Sequence, residues 1–277
     1  MITSSAVTKS PYDYMIFSET LGSDSLNTVG NYVHSVNLLS ETPYMLIQPS
    51  LSNFDNHYVC SLARRSLIKR AKNVHIYWNS NINPQLKFDL GMAFMLRKEL
   101  NLVPNSKVNK GGLDDVLLEL SNNPALMQDN SKLKKNNVAV IYPMNELNPT
   151  NKHAINTYLT ALAELKLKAY WHFEDSNPPF SQNIKYLTKI CKAIELADDV
   201  HMFWDPNSPF KEFDLGMIFA AQKPLFIPNY DAVENFNGFV EVINGLQSKY
   251  RARNDAEFKR LIMISHCLEL SELSYED

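Results

Sequence analysis

Two stretches of this chain say nearly the same thing: VHIYWNSNINPQLKFDLGMAF from Val74 to Phe94, and VHMFWDPNSPFKEFDLGMIFA from Val200 to Ala220. Self-similarity at such a spacing means that whatever unit one copy builds, the chain builds twice. Aligned, Val74 pairs with Val200, His75 with His201, Trp78 with Trp204, and Phe88-Asp89-Leu90-Gly91-Met92 with Phe213-Asp214-Leu215-Gly216-Met217. The only disturbance is one residue of loop length. LVPN at 102–105 answers FIPN at 226–229, and Ile68 and Ala71 answer Ile194 and Ala197, so the repeat runs well past one motif.

Each half alternates short apolar runs with stretches of helical periodicity. In the second, VAVIYP (138–143) predicts a strand, and HAINTYLTALAELKL (153–167) sets Ile155, Tyr158, Leu159, Leu162 and Leu165 at helical spacing. AYWHFE, NIKYLTKICKAIELA, VHMFWD, FDLGMIFAAQ, PLFIPN and GFVEVINGLQSKY continue as strand, helix, strand, helix, strand, helix. The first half offers the same order in DYMIFSE, a helix near 25–39, PYMLIQP, VCSLARRSLIKRA, VHIYWN, FDLGMAFMLRKE and LNLVPN. Alternation of this kind implies parallel β-α-β units with right-handed crossovers, an α/β fold. GLDDVLLEL, with Leu113, Val116, Leu117 and Leu120 on one face, reads as a further helix, and QDNSKLKKNN as a linker. The boundary is placed near 135, giving units over 1–135 and 136–277, the second ending in an added helix with an acidic tail.

Composition narrows the function classes. A formal net charge of -3 gives no global attraction to nucleic acid or anionic membrane, and no sequence-specific nucleic-acid partner is expected. Cys60, Cys191 and Cys267 are odd in number and lack any C-x-x-C spacing, so they read as free thiols rather than a disulfide framework or zinc site. No cofactor or metal is expected. Neither a signal-peptide core nor an apolar run of about 20 residues is present, which predicts a cytoplasmic protein outside the membrane.

The repeated motif falls where open parallel sheets collect ligands, beyond the carboxyl ends of the strands. Trp204, Asp205 and Asp214 reach that edge in one half, and Trp78, Asn79 and Asp89 in the other. Gly91 and Gly216 lie inside helix starts, where glycine costs about 1 kcal/mol relative to alanine. A cost repeated in both copies predicts close backbone approach.

The strand-loop-helix with an acidic residue, Leu-Gly and an apolar run closing on Lys-Pro-Leu, as in EFDLGMIFAAQKPLFIP, resembles the nucleoside 2-deoxyribosyltransferase-like superfamily. The resemblance implies two tandem flavodoxin-like (Rossmann-like) domains and cleavage or transfer of N-glycosidic bonds. It implies a nucleophilic carboxylate at Asp214, and at Asp89 in the first copy, where the family carries glutamate. It also matches Asp205 and Asn79 to a polar group after the central strand, and Tyr142 to an aromatic at the first strand end. Family members lend active-site residues between subunits, so the halves are expected to face each other as a pseudo-dimer, with pockets lined by Trp78 and Trp204. A nucleoside, nucleotide or nucleotide-derived small molecule is the implied partner, with a homo-oligomer as a further possibility.

The residues also bear plainer readings. Asp89 and Asp214 suit the free N–H groups of a helix start, and the two tryptophans suit core caps. His75 and His201, in mid-strand, read as satisfied core histidines. His172, in AYWHFED, reaches the same edge as Asp214. Aspartate's shorter arm displaces the attacking oxygen by about 1 Å, and misplacement on that scale costs about a hundredfold in rate. Two functions therefore stand: an enzyme acting on an N-glycosidic bond, or a binder that keeps the pocket without turnover.

Overall fold

The computed structural model describes residues 12–18, 21–39, 44–79, 83–109, 111–123, 133–142, 149–171 and 183–273. The first half runs β1 (Tyr12–Ile16), α1 (Ser23–Leu39), β2 (Tyr44–Ile47), α2 (His57–Arg70), β3 (Asn73–Ile76), α3 (Pro84–Met95), β4 (Glu99–Leu102) and α4 (Leu113–Asn122). The second runs β5 (Val138–Ile141), α5 (Pro149–Glu164), β6 (Ala169–Tyr170), α6 (Asn183–Leu196), β7 (Asp199–Met202), α7 (Lys211–Ala221), β8 (Leu225–Phe226), α8 (Val240–Arg253) and α9 (Asp255–Leu273). Each half forms a four-stranded sheet, ordered β2-β1-β3-β4 and β6-β5-β7-β8, with every pairing parallel. The fold is the α/β arrangement of parallel units expected from the alternation, doubled and flavodoxin-like as the resemblance implied.

Local chemistry sets the element starts. Asn83 accepts from the Leu86 amide while Pro84 occupies the first helical turn, so α3 begins four residues before the repeated Phe88. Asn56 caps α2 in the same way through the Val59 amide. Gln222, in the left-handed region, closes α7. β5 and β7 are buried along their whole length, as parallel strands covered on both faces must be. No described helix is long and apolar enough to cross a membrane.

The halves meet through the repeated motif. A Cβ built on Gly91 would lie 2.0 Å from the Phe213 carbonyl oxygen, and one on Gly216 would lie 2.1 Å from that of Phe88. The contact is reciprocal, residue for residue, which is the signature of a two-fold axis. α3 and α7 therefore cross backbone to backbone, and only glycine permits it. Around the crossing Phe88 packs on Phe219 and Phe94 on Phe213, each pair with centroids 5.5 Å apart. A single core cluster takes in residues from both sheets, from Tyr14 and Trp78 to Ile141 and Trp204. The flanking contacts are paired too, α2 on α8 and α4 on α6. The arrangement is a pseudo-dimer inside one chain.

Candidate functional site

Strand order reverses in the second sheet between β5 and β7, the position at which a doubly wound sheet opens its ligand crevice. Tyr142 leaves β5 there and Asp205 follows β7. The Tyr142 hydroxyl donates to Asp205 Oδ2 at 3.1 Å, while Asp205 Oδ1 accepts from the Asn207 amide at 2.8 Å. Asp205 is half-buried and Tyr142 nearly enclosed, so the carboxylate is held in place yet touches solvent. In the first sheet Phe17 stands where the second has Tyr142 and the half-buried Asn79 where it has Asp205, while Ser18, one residue on, accepts from Asn83 Nδ2 at 2.9 Å. His172 lies outside the described residues.

The two helix-start carboxylates stand in unlike surroundings. Asp89 is 1% exposed and accepts from Arg64 Nη1 at 2.7 Å and from Gln85 Nε2 at 2.8 Å. Burial pushes its carboxyl up, against the pull of the Arg64 guanidinium. Behind Gln85, His57 meets Gln85 Oε1 with one ring nitrogen and the Gly238 carbonyl, at 2.9 Å, with the other. The Asp89 network thus ends on a loop of the second half. Asp214 is also 1% exposed, but its Oδ1 has no hydrogen-bond partner among the described residues. Burial, and then the nearby Glu212 carboxylate, push its carboxyl well above the usual range. Position 190, which the repeat aligns with Arg64, holds isoleucine. The second carboxylate therefore lacks the first one's counter-charge.

Neither tryptophan lines an open pocket. Trp78 is fully buried and its indole donates to Asp114 Oδ1 at 2.7 Å, while Trp204 is 2% exposed and packs edge-on to Phe236. Their rings cap the core at the strand exits, in line with the plainer of the two readings. Gly91 and Gly216 likewise meet no ligand space, since the carbonyls of Phe213 and Phe88 fill it. The close approach expected there is real, and it is made by the other helix. The structure brings Tyr142 and Asp205 together and leaves Asp89 and Asp214 enclosed near the crossing.

His75 and His201 are both satisfied, as mid-strand histidines should be. His201 is fully buried between the hydroxyls of Tyr158, at 2.8 Å, and Tyr250, at 3.3 Å, and burial pulls its imidazole down to about 3. His75 meets Tyr32 at 2.9 Å and the Asp13 carboxylate at 3.2 Å. Arg64, Gln85 and His57 were passed over in the sequence, where Arg64 against Ile190 was the one available signal. No group of three or more His, Cys, Asp or Glu among the described residues is placed to hold a metal ion. Comparison with protein-family models, with characterised proteins and with solved structures finds no match to this chain.

Proposed function

We propose that this chain is a binding protein that holds a nucleoside, nucleotide or nucleotide-derived small molecule in the switch-point crevice of its second sheet, without cleaving it. The observation that carries the reading is the state of the two helix-start carboxylates. A carboxylate nucleophile must be ionised and must reach an anomeric carbon. Asp89 is enclosed and committed to Arg64, and Asp214 is enclosed and driven toward its neutral form. Asp89 is tied through Gln85 and His57 to the other half, and neither carboxylate is open to a substrate.

The strand exits offer groups suited to recognition of such a ligand. Asp205 offers a fixed carboxylate to ribose hydroxyls or ring N–H groups, and Tyr142 sets its direction. The ligand class rests on the resemblance of EFDLGMIFAAQKPLFIP to the deoxyribosyltransferase-like superfamily.

The test is to incubate the purified protein with a panel of nucleosides, nucleotides and NAD-like dinucleotides, following free-base release and retained ligand together. Stoichiometric retention of intact ligand, weakened at least tenfold by Asp205→Asn or Tyr142→Phe, supports the reading. Free-base release that Asp214→Asn abolishes would sink it and restore the N-glycosidic enzyme.

A further inference from the structure

The two halves share a Tyr–His pair at the same repeat offset, Tyr32 with His75 and Tyr158 with His201, and then treat it in opposite ways. In the second half the pair is sealed. Phe226 lies beside His201 in the strand register and packs on it at 5.4 Å, and Tyr250 covers it from α8. Phe258 of α9 closes over both rings, and Tyr250 donates onward to Glu257 at 2.6 Å. In the first half α4 ends at Asn122, before Pro124, and supplies no counterpart of Tyr250. Over His75 the described residues instead enclose a cleft of about 580 Å³, a size that suits a small molecule.

The cleft's chemistry differs from that of its sealed twin at three matched strand positions. Asn101 neighbours His75 where Phe226 neighbours His201, and Asp13 stands where the second sheet has Val138. Glu99, just before the residue paired with Val74, takes the place of Pro224. Solvation of an uncovered sheet face explains polar residues at the rim. It does not explain a hydrogen-bonded line of Asp13, His75 and Tyr32 beneath it, with His75 only 7% exposed.

Proton placement along that line decides what the cleft presents. The Asp13 carboxylate only accepts, so His75 Nε2 carries the hydrogen and Nδ1 receives the Tyr32 hydroxyl proton. Burial lowers the His75 pKa against the pull of Asp13, in keeping with a neutral ring. Tyr32 is left with oxygen lone pairs. Asn73 spends an Nδ2 hydrogen on Asp13 Oδ1 at 3.0 Å, which leaves its own Oδ1 as an acceptor. Glu99 adds an exposed carboxylate, Leu102 and Leu118 provide apolar wall, and no lysine or arginine among the described residues lines the space.

We propose that this cleft of the first half, built on Tyr32, Asn73 and Glu99 over His75, is a binding site for a small aliphatic cation bearing an amine or guanidine group. Such a ligand supplies several N–H donors and one positive charge to a set of acceptors and one negative charge. A phosphate-bearing ligand finds no cationic partner there among the described residues, so this site is distinct from the one proposed at Tyr142 and Asp205.

Isothermal titration with agmatine, with AMP as the anionic control, tests the assignment. Agmatine is expected to bind the full chain with a stoichiometry of one. Glu99→Gln, an exposed and isosteric change, weakens it at least tenfold. Asn101→Phe, which installs the second half's residue, abolishes it while leaving the far-ultraviolet circular dichroism and the AMP titration unchanged. Absence of agmatine binding at millimolar concentration overturns the proposal, as does equal affinity in wild type and either variant. The AMP arm reads the other crevice independently.

Discussion

Adding one methyl group at the helix crossing tests the pseudo-dimer directly. In Gly91→Ala the new Cβ starts 2.0 Å from the Phe213 oxygen, whereas ordinary contact begins at 3.4 Å, so α3 and α7 must part by about 1.4 Å. The obstructing atom is backbone, which no rotamer change can clear, and the core on either side is continuous. Overpacking of this kind costs about 3 kcal/mol at the upper end of its usual range, and the gain in helix propensity returns about 1. A net loss of about 2 kcal/mol is expected for Gly91→Ala, and the same for Gly216→Ala across the axis. Once one methyl has spread the helices the second meets less resistance, so the double variant should lose about 3 kcal/mol rather than 4.

Urea unfolding followed by tryptophan fluorescence suits the measurement, because Trp78 and Trp204 place a buried reporter in each half. With a slope of about 3 kcal/mol/M, each single variant shifts the midpoint down by about 0.7 M. Gly30→Ala is the control: Gly30 lies in α1 with nothing within 4 Å of its added Cβ, so alanine there should stabilise by up to about 1 kcal/mol. If Gly91→Ala shifted the midpoint upward as Gly30→Ala does, the crossing would be wrong.

Two further outcomes follow from the carboxylates. Arg64→Ile gives Asp89 the neighbour that Asp214 already has, and stranding a buried carboxylate should cost about 3–5 kcal/mol at neutral pH, most of it recovered by adding Asp89→Asn. Urea midpoints at pH 7 and pH 4 check this, since the loss should shrink as Asp89 gains a proton. Asp214→Asn should stabilise by about 1–3 kcal/mol at neutral pH. Its folded pKa is raised, so the folded state binds more protons than the unfolded one above the ordinary carboxylate range, and stability falls as pH rises through that window. The advantage of asparagine should therefore vanish below about pH 4, and a pH-independent difference would refute the assignment.

Much of the fold was legible because it follows from periodicities local to a few residues. The run VAVI reads as a buried strand and Leu113, Val116, Leu117 and Leu120 as one helix face from spacing alone, and both are so. The cost of Gly91 and Gly216 was visible too, as was the need for something close by. What approached them was not, because a glycine's neighbour is set by how two distant helices cross. The same limit hid the indole donor bond from Trp78 to Asp114 and the pairing of Asp89 with Arg64, contacts spanning 36 and 25 residues. Side-chain direction at a sheet edge depends on which helix covers it. For His75 and His201 that cover is different although the strands read alike.

The doubling itself now carries a different inference about function. A reciprocal crossing constrains both copies at once, because Gly91 must admit Phe213 while Gly216 admits Phe88. A side chain at either glycine strains the same crossing, so the two glycines are held alike by packing, whether or not either half binds anything. Likeness between the halves therefore marks the axis. Positions away from it are under no such restraint, and several there part: Arg64 against Ile190, Asn101 against Phe226, Asn79 against Asp205. In a duplicated chain whose shared glycines are spent on holding the halves together, chemistry is to be sought where the copies disagree, and both proposed sites lie at such places.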